Sequence, residues 1–444
     1  MTSGRSQSLD RRKGHSMKEI FYLDDRLGLA LTLLCPPAGF IVSLINLRND
    51  TVNWRRYTFC IAWAMGAFAY CYQPLLKSSS DLIRYFAYCE KLGNLPLAQI
   101  WGNGIHGEDN LYIFELLCWV VGKIGDVHLL PAISVFLVYY IGMYVTCVFG
   151  EQERCSKKSV VRYVFFILMA VSFYSITNNV RNILAFALSG YAVFRDCYEK
   201  KHDLVTSAMY VIPWLIHPSA ILILIVRALM GMIGKMKVVS TVAVLVVPFL
   251  LETLDRVLSG VYSGNIIVRT FVKMIRMANS YFHDDTSAWA NAVKNSGAQT
   301  LLRIFNISIV VIMLYDLYLQ HGIPVDMMRQ DRRGRNVSME NFVFFTILLT
   351  LSCLPMTQPQ YWRFASLAIL FGGSIYLGME KTKDPYIISK RDYLLIPAAG
   401  VWVVAFRELL LYANVGVMFL RTLICNPFVL LTLRALGGSI EIIQ

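Results

Sequence analysis

Apolar runs of about 16–22 residues, separated by short polar or basic loops, recur almost to the C-terminus of this chain. A helix of that length crosses a hydrocarbon core of roughly 30 Å at about 1.5 Å per residue. The pattern predicts helices over 27–46, 57–74, 129–149, 160–176, 181–197, 204–217, 218–233, 238–251, 299–320, 341–356, 361–379, 393–412 and 414–434. Segment 111–125 is apolar but short and carries Glu115 and Lys123, so a re-entrant or tilted helix suits it better than a separate span. The expected fold class is all-α: a polytopic integral membrane helical bundle of about 12–14 transmembrane helices. Residues 1–26 read as a basic N-terminal tail, 27–434 as one transmembrane domain and 435–444 as a C-terminal tail. The stretch 252–298 is too polar to span and is expected to form one long loop.

Composition agrees. Charged residues make up 16% of the chain, against about 25% in soluble proteins, and 56% of it is hydrophobic. The net charge of +13 sits mostly in short loops, where it orients a membrane protein, so nucleic acid is not an expected partner. The ten cysteines are scattered through apolar runs without metal-ligand spacing and read as small core residues.

The basic loops give an orientation. The strongest, within 321–340, contains Arg329, Arg332, Arg333 and Arg335 and is expected in the cytoplasm. Counting outward from it places 195–201, 235–237 and 381–391 in the cytoplasm and Arg181, His217 and Arg363 on the opposite face, with loop 252–298. Loop 47–56, with Arg48, Arg55 and Arg56, reads as cytoplasmic and puts Asp81 outside. One feature conflicts: the basic N-terminal tail falls outside by this count. Either a helix is miscounted or Pro36-Pro37 breaks the first run so that it does not cross.

The candidate chemistry lies at the ends of these helices. Two apolar runs meet at the polar knot Thr177-Asn178-Asn179-Val180-Arg181-Asn182. A guanidinium at Arg181 can grip a diphosphate with paired charge-assisted hydrogen bonds, or it can snorkel to headgroups as an interfacial arginine. His217 ends a helix before Pro218-Ser219. It can accept a proton from a sugar hydroxyl, donate to a phosphate, or merely cap a helix. Arg363 follows Tyr361-Trp362, so it is either a second diphosphate ligand or part of an aromatic anchor. In 78–88, the residues Asp81, Arg84, Tyr85 and Tyr88 share a helical face that resembles a sugar-binding surface; an ion pair on an interfacial helix explains them equally well. Glu115 and Asp109 are further acids, Glu115 in an apolar setting where it either pairs with an arginine or serves as base. In loop 252–298, a helix would put Arg269, Lys273 and Arg276 on one face, suited to an anionic lipid head. There is no phosphate-cradling Gly-rich loop, no HExxH, no nucleotide-binding domain and no Asp-rich metal cluster apart from the weak Asp284-Asp285 pair, which argues against an ATP-driven pump and a cytosolic nucleotide-sugar transferase.

The order of these elements resembles the EpsG family, a Wzy-like group of bacterial polysaccharide polymerases. The likeness runs from about residue 57 to 380. It is carried by Ser80-Asp81 through Arg84-Tyr85, Asn179-Val180-Arg181 leading into Leu184-Ala185, the Glu199-Lys200-Lys201 turn, His217-Pro218-Ser219 and Arg363. The resemblance implies a GT-C-like glycosyltransferase of the bacterial inner membrane. It would polymerise undecaprenyl-diphosphate-linked oligosaccharide units into O-antigen, capsule or exopolysaccharide on the outer face. It would need no cofactor and no metal, because the donor's diphosphate leaving group supplies the energy. Under it, Arg181, His217 and Arg363 are catalytic. Asp81, Arg84, Tyr85, Glu115, Asn178, Arg269, Lys273 and Arg276 bind substrate, and the partners are membrane lipid and a chain-length regulator. The competing classes are a lipid-linked oligosaccharide flippase or other polysaccharide transporter, and a membrane O-acyltransferase.

Overall fold

The computed structural model describes residues 25–48, 54–75, 81–101, 111–230, 242, 246, 253–258, 260, 268, 272, 275–276, 296–321, 335–354, 361–379 and 391–424. Among the described residues the protein is helical throughout, with no strand and one isolated bridge between Pro74 and Ala413. Three helices are long and apolar enough to cross a membrane: Leu129–Gln152, Gly297–Leu319 and Leu395–Tyr412. The expected dozen or more uninterrupted spans are not seen one for one. Several predicted runs are subdivided, and 238–251, apart from Val242 and Val246, lies outside the described residues, as does the end of 414–434.

The first correction falls at the N-terminal run. Predicted helix 27–46 is two helices, α1 (Asp25–Leu34) and α2 (Pro36–Leu47). Pro36 and Pro37 lack N–H donors, so the ladder breaks at Cys35. The chain folds back so tightly that a Cβ on Gly39 would lie 2.3 Å from the Thr32 Cα. At about 1.5 Å per residue neither piece crosses a bilayer. A first run broken at Pro36-Pro37 and too short to cross corresponds to the second of the two alternatives the sequence offers for the basic tail, whose own residues 1–24 lie outside the described residues.

α3 (Trp54–Tyr70) packs along the long α6 (Leu129–Gln152), where Gly66 meets Phe136. Between them, α4 (Asp81–Gly93) and α5 (Tyr112–Ile124) form a short pair. Their glycines set its spacing: a Cβ on Gly122 would lie 2.0 Å from the Cys89 carbonyl oxygen. Helix α5, with 13 residues, is too short to span alone, as the sequence suggests.

Run 160–176 also divides. α7 (Lys157–Ala170) ends at Val171, whose carbonyl accepts from the Tyr139 hydroxyl at 2.7 Å. Ser172 then caps the brief α8 (Phe173–Asn178), accepting the Ser175 N–H at 3.1 Å. After Asn179 the chain enters α9 (Val180–Val193), the most buried helix around the site, which continues into a π turn, Phe194–Tyr198. α10 (Leu204–Ile216) runs back against it, and α11 (Ile221–Met230) follows a 3-10 turn at Pro218–Ala220. The chain closes with α12 (Gly297–His321), α13 (Arg335–Ser352), α14 (Tyr361–Phe371), α15 (Gly373–Met379), α16 (Leu395–Tyr412) and α17 (Val415–Ile424). Ile396, Trp402, Val403, Phe406 and Leu410 of α16 are exposed, an apolar face suited to lipid.

Candidate functional site

The two arms of the α9–α10 hairpin have matched lengths. Arg181 to Arg195 is 14 residues, and Asp203 to His217 is also 14, about 21 Å of helix each. The turn is pinned where the arms meet: Arg195 donates to Asp203 at 2.7 Å and to the Thr206 hydroxyl at 3.1 Å. Asp203 caps α10 by accepting the Thr206 N–H at 2.8 Å. Hydrogen bonds from the Thr206 hydroxyl and N–H, with the Arg195 charge behind them, hold the Asp203 carboxyl down to about 2. His217 is thereby returned to the level of Arg181.

Arg363 arrives on a third element. α14 runs beside α9 in the same direction, with Phe364 stacked on Phe186 at 5.2 Å and Phe371 closing on Gly190. Parallel packing puts the first turn of each helix, hence Arg363 and Arg181, at one end. The charges of both arginines reach the His217 ring. The structure therefore joins these three residues into one site.

Arg181 is 6% exposed, so it does not snorkel to an interface. Its guanidinium lies 6.0 Å from the Tyr85 ring centroid and 5.8 Å from that of Phe114, two rings set edge to face. Each cation–π contact is worth about 0.5–2 kcal/mol, less than the several kcal/mol that desolvating a guanidinium costs, so anionic neighbours must contribute. Glu115 is such a neighbour. It is 1% exposed, it accepts from the Tyr88 hydroxyl at 3.4 Å, and its charge and that of Arg181 act on the same two groups, Tyr88 and Cys118. Positive potential still dominates the site. Arg181 lies in the first turn of α9, where the helix dipole adds to its own charge, and Arg363 adds a third source.

His217 is buried, and its tautomer follows from its partners. The Ser219 backbone N–H donates to Nδ1 at 3.2 Å, with the Ser219 hydroxyl 2.5 Å from the same atom. A backbone N–H can only donate, so Nδ1 is unprotonated and the neutral ring carries its proton on Nε2. His217 thus presents a donor to the site. Of its readings in the sequence, the geometry favours hydrogen bonding to an oxyanion over proton abstraction.

The sugar-surface expectation divides. On α4 the buried face is Leu82, Tyr85, Tyr88, Cys89 and Leu92. Tyr85 and Tyr88 turn toward Arg181 and Glu115. Arg84 lies about 100° around the helix from Tyr85, is exposed, and pairs with Asp81. The four residues do not share one working face, and the ion-pair reading describes Asp81 and Arg84. Asn178 is buried and donates to the Tyr72 hydroxyl at 3.4 Å and the Tyr174 carbonyl at 2.8 Å, which ties α8 to the end of α3. Arg276 lies 3.7 Å from Asp255, while Arg269 and Lys273 fall outside the described residues, as does Asp109.

Several neighbours escaped the sequence reading. Phe114 looks like ordinary core in an apolar run. Asn182 is 3% exposed, and its side-chain oxygen has no hydrogen-bond partner among the described residues. Asp126 accepts from the Tyr70 hydroxyl and the His128 N–H beside the first turn of α6. The signal for this group was faint, since both side chains sit in a short link between predicted helices.

Among the described residues no cluster of His, Cys, Asp and Glu is arranged to hold a metal ion. Comparison with family models, curated proteins and solved structures returns no match to this chain.

Proposed function

We propose that the protein is a GT-C-like membrane glycosyltransferase. It would polymerise undecaprenyl-diphosphate-linked oligosaccharide units at the outer face of the bacterial inner membrane. The observation that carries this reading is the convergence of Arg181, Arg363 and the Nε2–H of His217 at one helix-terminus end. Two guanidiniums, a neutral donor and a helix N-terminus form an electropositive group suited to a diphosphate.

In the proposed reaction, a hydroxyl oxygen of the acceptor unit attacks the anomeric carbon of the donor chain. The bond from that carbon to the diphosphate oxygen breaks, and the lipid diphosphate leaves with the bonding electrons. Arg181 and Arg363 stabilise the charge that develops on it, and His217 donates to one of its oxygens. The hydroxyl proton needs a carboxylate acceptor, and Glu115 is the buried acid in place. Tyr85 and Tyr88 offer an aromatic wall and a hydroxyl to the sugars.

The α7–α8–α9 discontinuity favours a second reading, a lipid-linked oligosaccharide flippase, because broken helices beside a polar site are common in transporters. One assay separates the two. Purified protein in detergent is incubated with lipid-linked repeat units, and the products are resolved by chain length. A polymerase yields a ladder without any membrane, and a flippase leaves single units. Wild-type-like ladders from both Arg181→Ala and His217→Ala would overturn the assignment of the site.

A further inference from the structure

At the other end of α9, about 22 Å of helix from Arg181, lies a second polar site. A cavity of about 110 Å³ is lined by Asp196, Cys197, Lys200, His202, Arg227, Met230 and Asn341. It takes residues from the π turn after α9, from α11 and from α13. The basic loops place this end on the cytoplasmic side.

Its charges are unevenly matched. Asp196 is fully engaged: Arg227 Nε lies 2.5 Å from one carboxylate oxygen, which also accepts from the Tyr210 hydroxyl at 3.0 Å, and His202 lies 2.9 Å from the other. The terminal N–H groups of Arg227 are not used in that pair. Lys200 has no partner among the described residues, and it holds a left-handed backbone with φ 58° that turns the chain at the cavity. Asn341 is 1% exposed, and neither its side-chain nitrogen nor its oxygen has a partner among the described residues. A primary amide buried with both ends unbonded is rare and costly unless something polar occupies the space in front of it.

We propose that this cavity is a binding site for a phosphate group. The unused terminal N–H groups of Arg227, the Lys200 ammonium and an amide donor line a space large enough for one tetrahedral oxyanion; Arg227 balances the charge of the single lining carboxylate, so Lys200 supplies the uncompensated positive charge. An inorganic phosphate and the headgroup of an anionic phospholipid offer the same chemistry. The site shares no residue with the Arg181 cluster and does not depend on the reaction assigned there.

The full-length protein is tested in an uncharged detergent with radiolabelled orthophosphate by equilibrium dialysis. In parallel it is placed in phosphatidylcholine nanodiscs with or without phosphatidylglycerol, and retained lipid is counted by native mass spectrometry. Lys200→Gly keeps the left-handed turn and removes the ammonium; Asn341→Asp keeps the shape and sets a negative charge in the cavity. Saturable binding of one orthophosphate per chain, weakened about tenfold by each variant, identifies free phosphate as the occupant. Retention of one phosphatidylglycerol that is lost in both variants identifies the headgroup. Neither phosphate nor lipid binding, or binding unchanged in Lys200→Gly, overturns the proposal and leaves ordered water in the cavity. Lys200 is exposed, so its replacement tests the site even if Asn341→Asp does not fold.

Discussion

At the scale of single residues, the most informative group is the His217 ring. Its Nδ1 is occupied by the Ser219 N–H, so the role of the histidine turns on Nε2–H. A glutamine amide nitrogen can reach the position of Nε2 and donate from it, whereas alanine cannot. Under the proposed function, His217→Gln is therefore expected to retain polymerisation within about tenfold of wild type, and His217→Ala to lose on the order of 10²-fold, the usual cost of removing one oxyanion donor. Initial rates on lipid-linked units check this, and equal losses in both variants would restore the histidine as base. Arg181 makes a different demand, because in the proposed site its planar fork would bind two oxygens while lying near the Tyr85 and Phe114 rings. Arg181→Lys keeps the charge but loses the fork and is expected to cost at least about tenfold in rate with thermal stability little changed.

At the scale of elements, spacing depends on a few contacts that leave no room. α4 and α5 meet where a Cβ on Gly122 would strike the Cys89 carbonyl, which is backbone and cannot rotate away. Gly122→Ala is expected to destabilise the protein by about 1–3 kcal/mol, the usual cost of overpacking, read as a fall in melting temperature. Gly28→Ala in α1, with nothing within 4 Å of the added carbon, serves as the clash-free control and is expected to be unchanged or up to about 1 kcal/mol more stable, alanine being the better helix former. The α9–α10 turn responds to acid. The Asp203 carboxyl titrates at about 2 in the folded protein and near 3.9 when unfolded. Its contribution is complete above pH ~4 and is lost as pH falls toward 2. Melting curves should show wild type losing more stability than Asp203→Asn across that interval.

At the scale of the whole molecule, the folded-back α1–α2 pair sets the topology of the N-terminal region. Asp25 and Arg48 should lie at the same membrane face, so a reporter at the N-terminus and one in loop 49–53 should report the same side. Opposite sides would mean that the first run crosses after all. The helical character of the chain, three of its membrane-length runs and the shared level of Arg181, His217 and Arg363 were legible in the sequence, because hydropathy periodicity and loop charge are local properties. The breaks at Cys35, Val171 and Gly372 were less legible: the prolines gave notice of the first, but capping by Ser172 and the Tyr139 hydroxyl depends on partners the pattern does not reveal. The sequence by itself determined that costly polar groups stand at helix ends, since a charge in an apolar run is visible without coordinates. Only the tertiary structure decided which of them meet. It turned Tyr85 inward and Arg84 outward on one helix, set Glu115 beside Arg181, and fixed the His217 proton on Nε2. Those outcomes depend on helix rotation and on contacts between segments remote in sequence, and hydropathy carries no record of either.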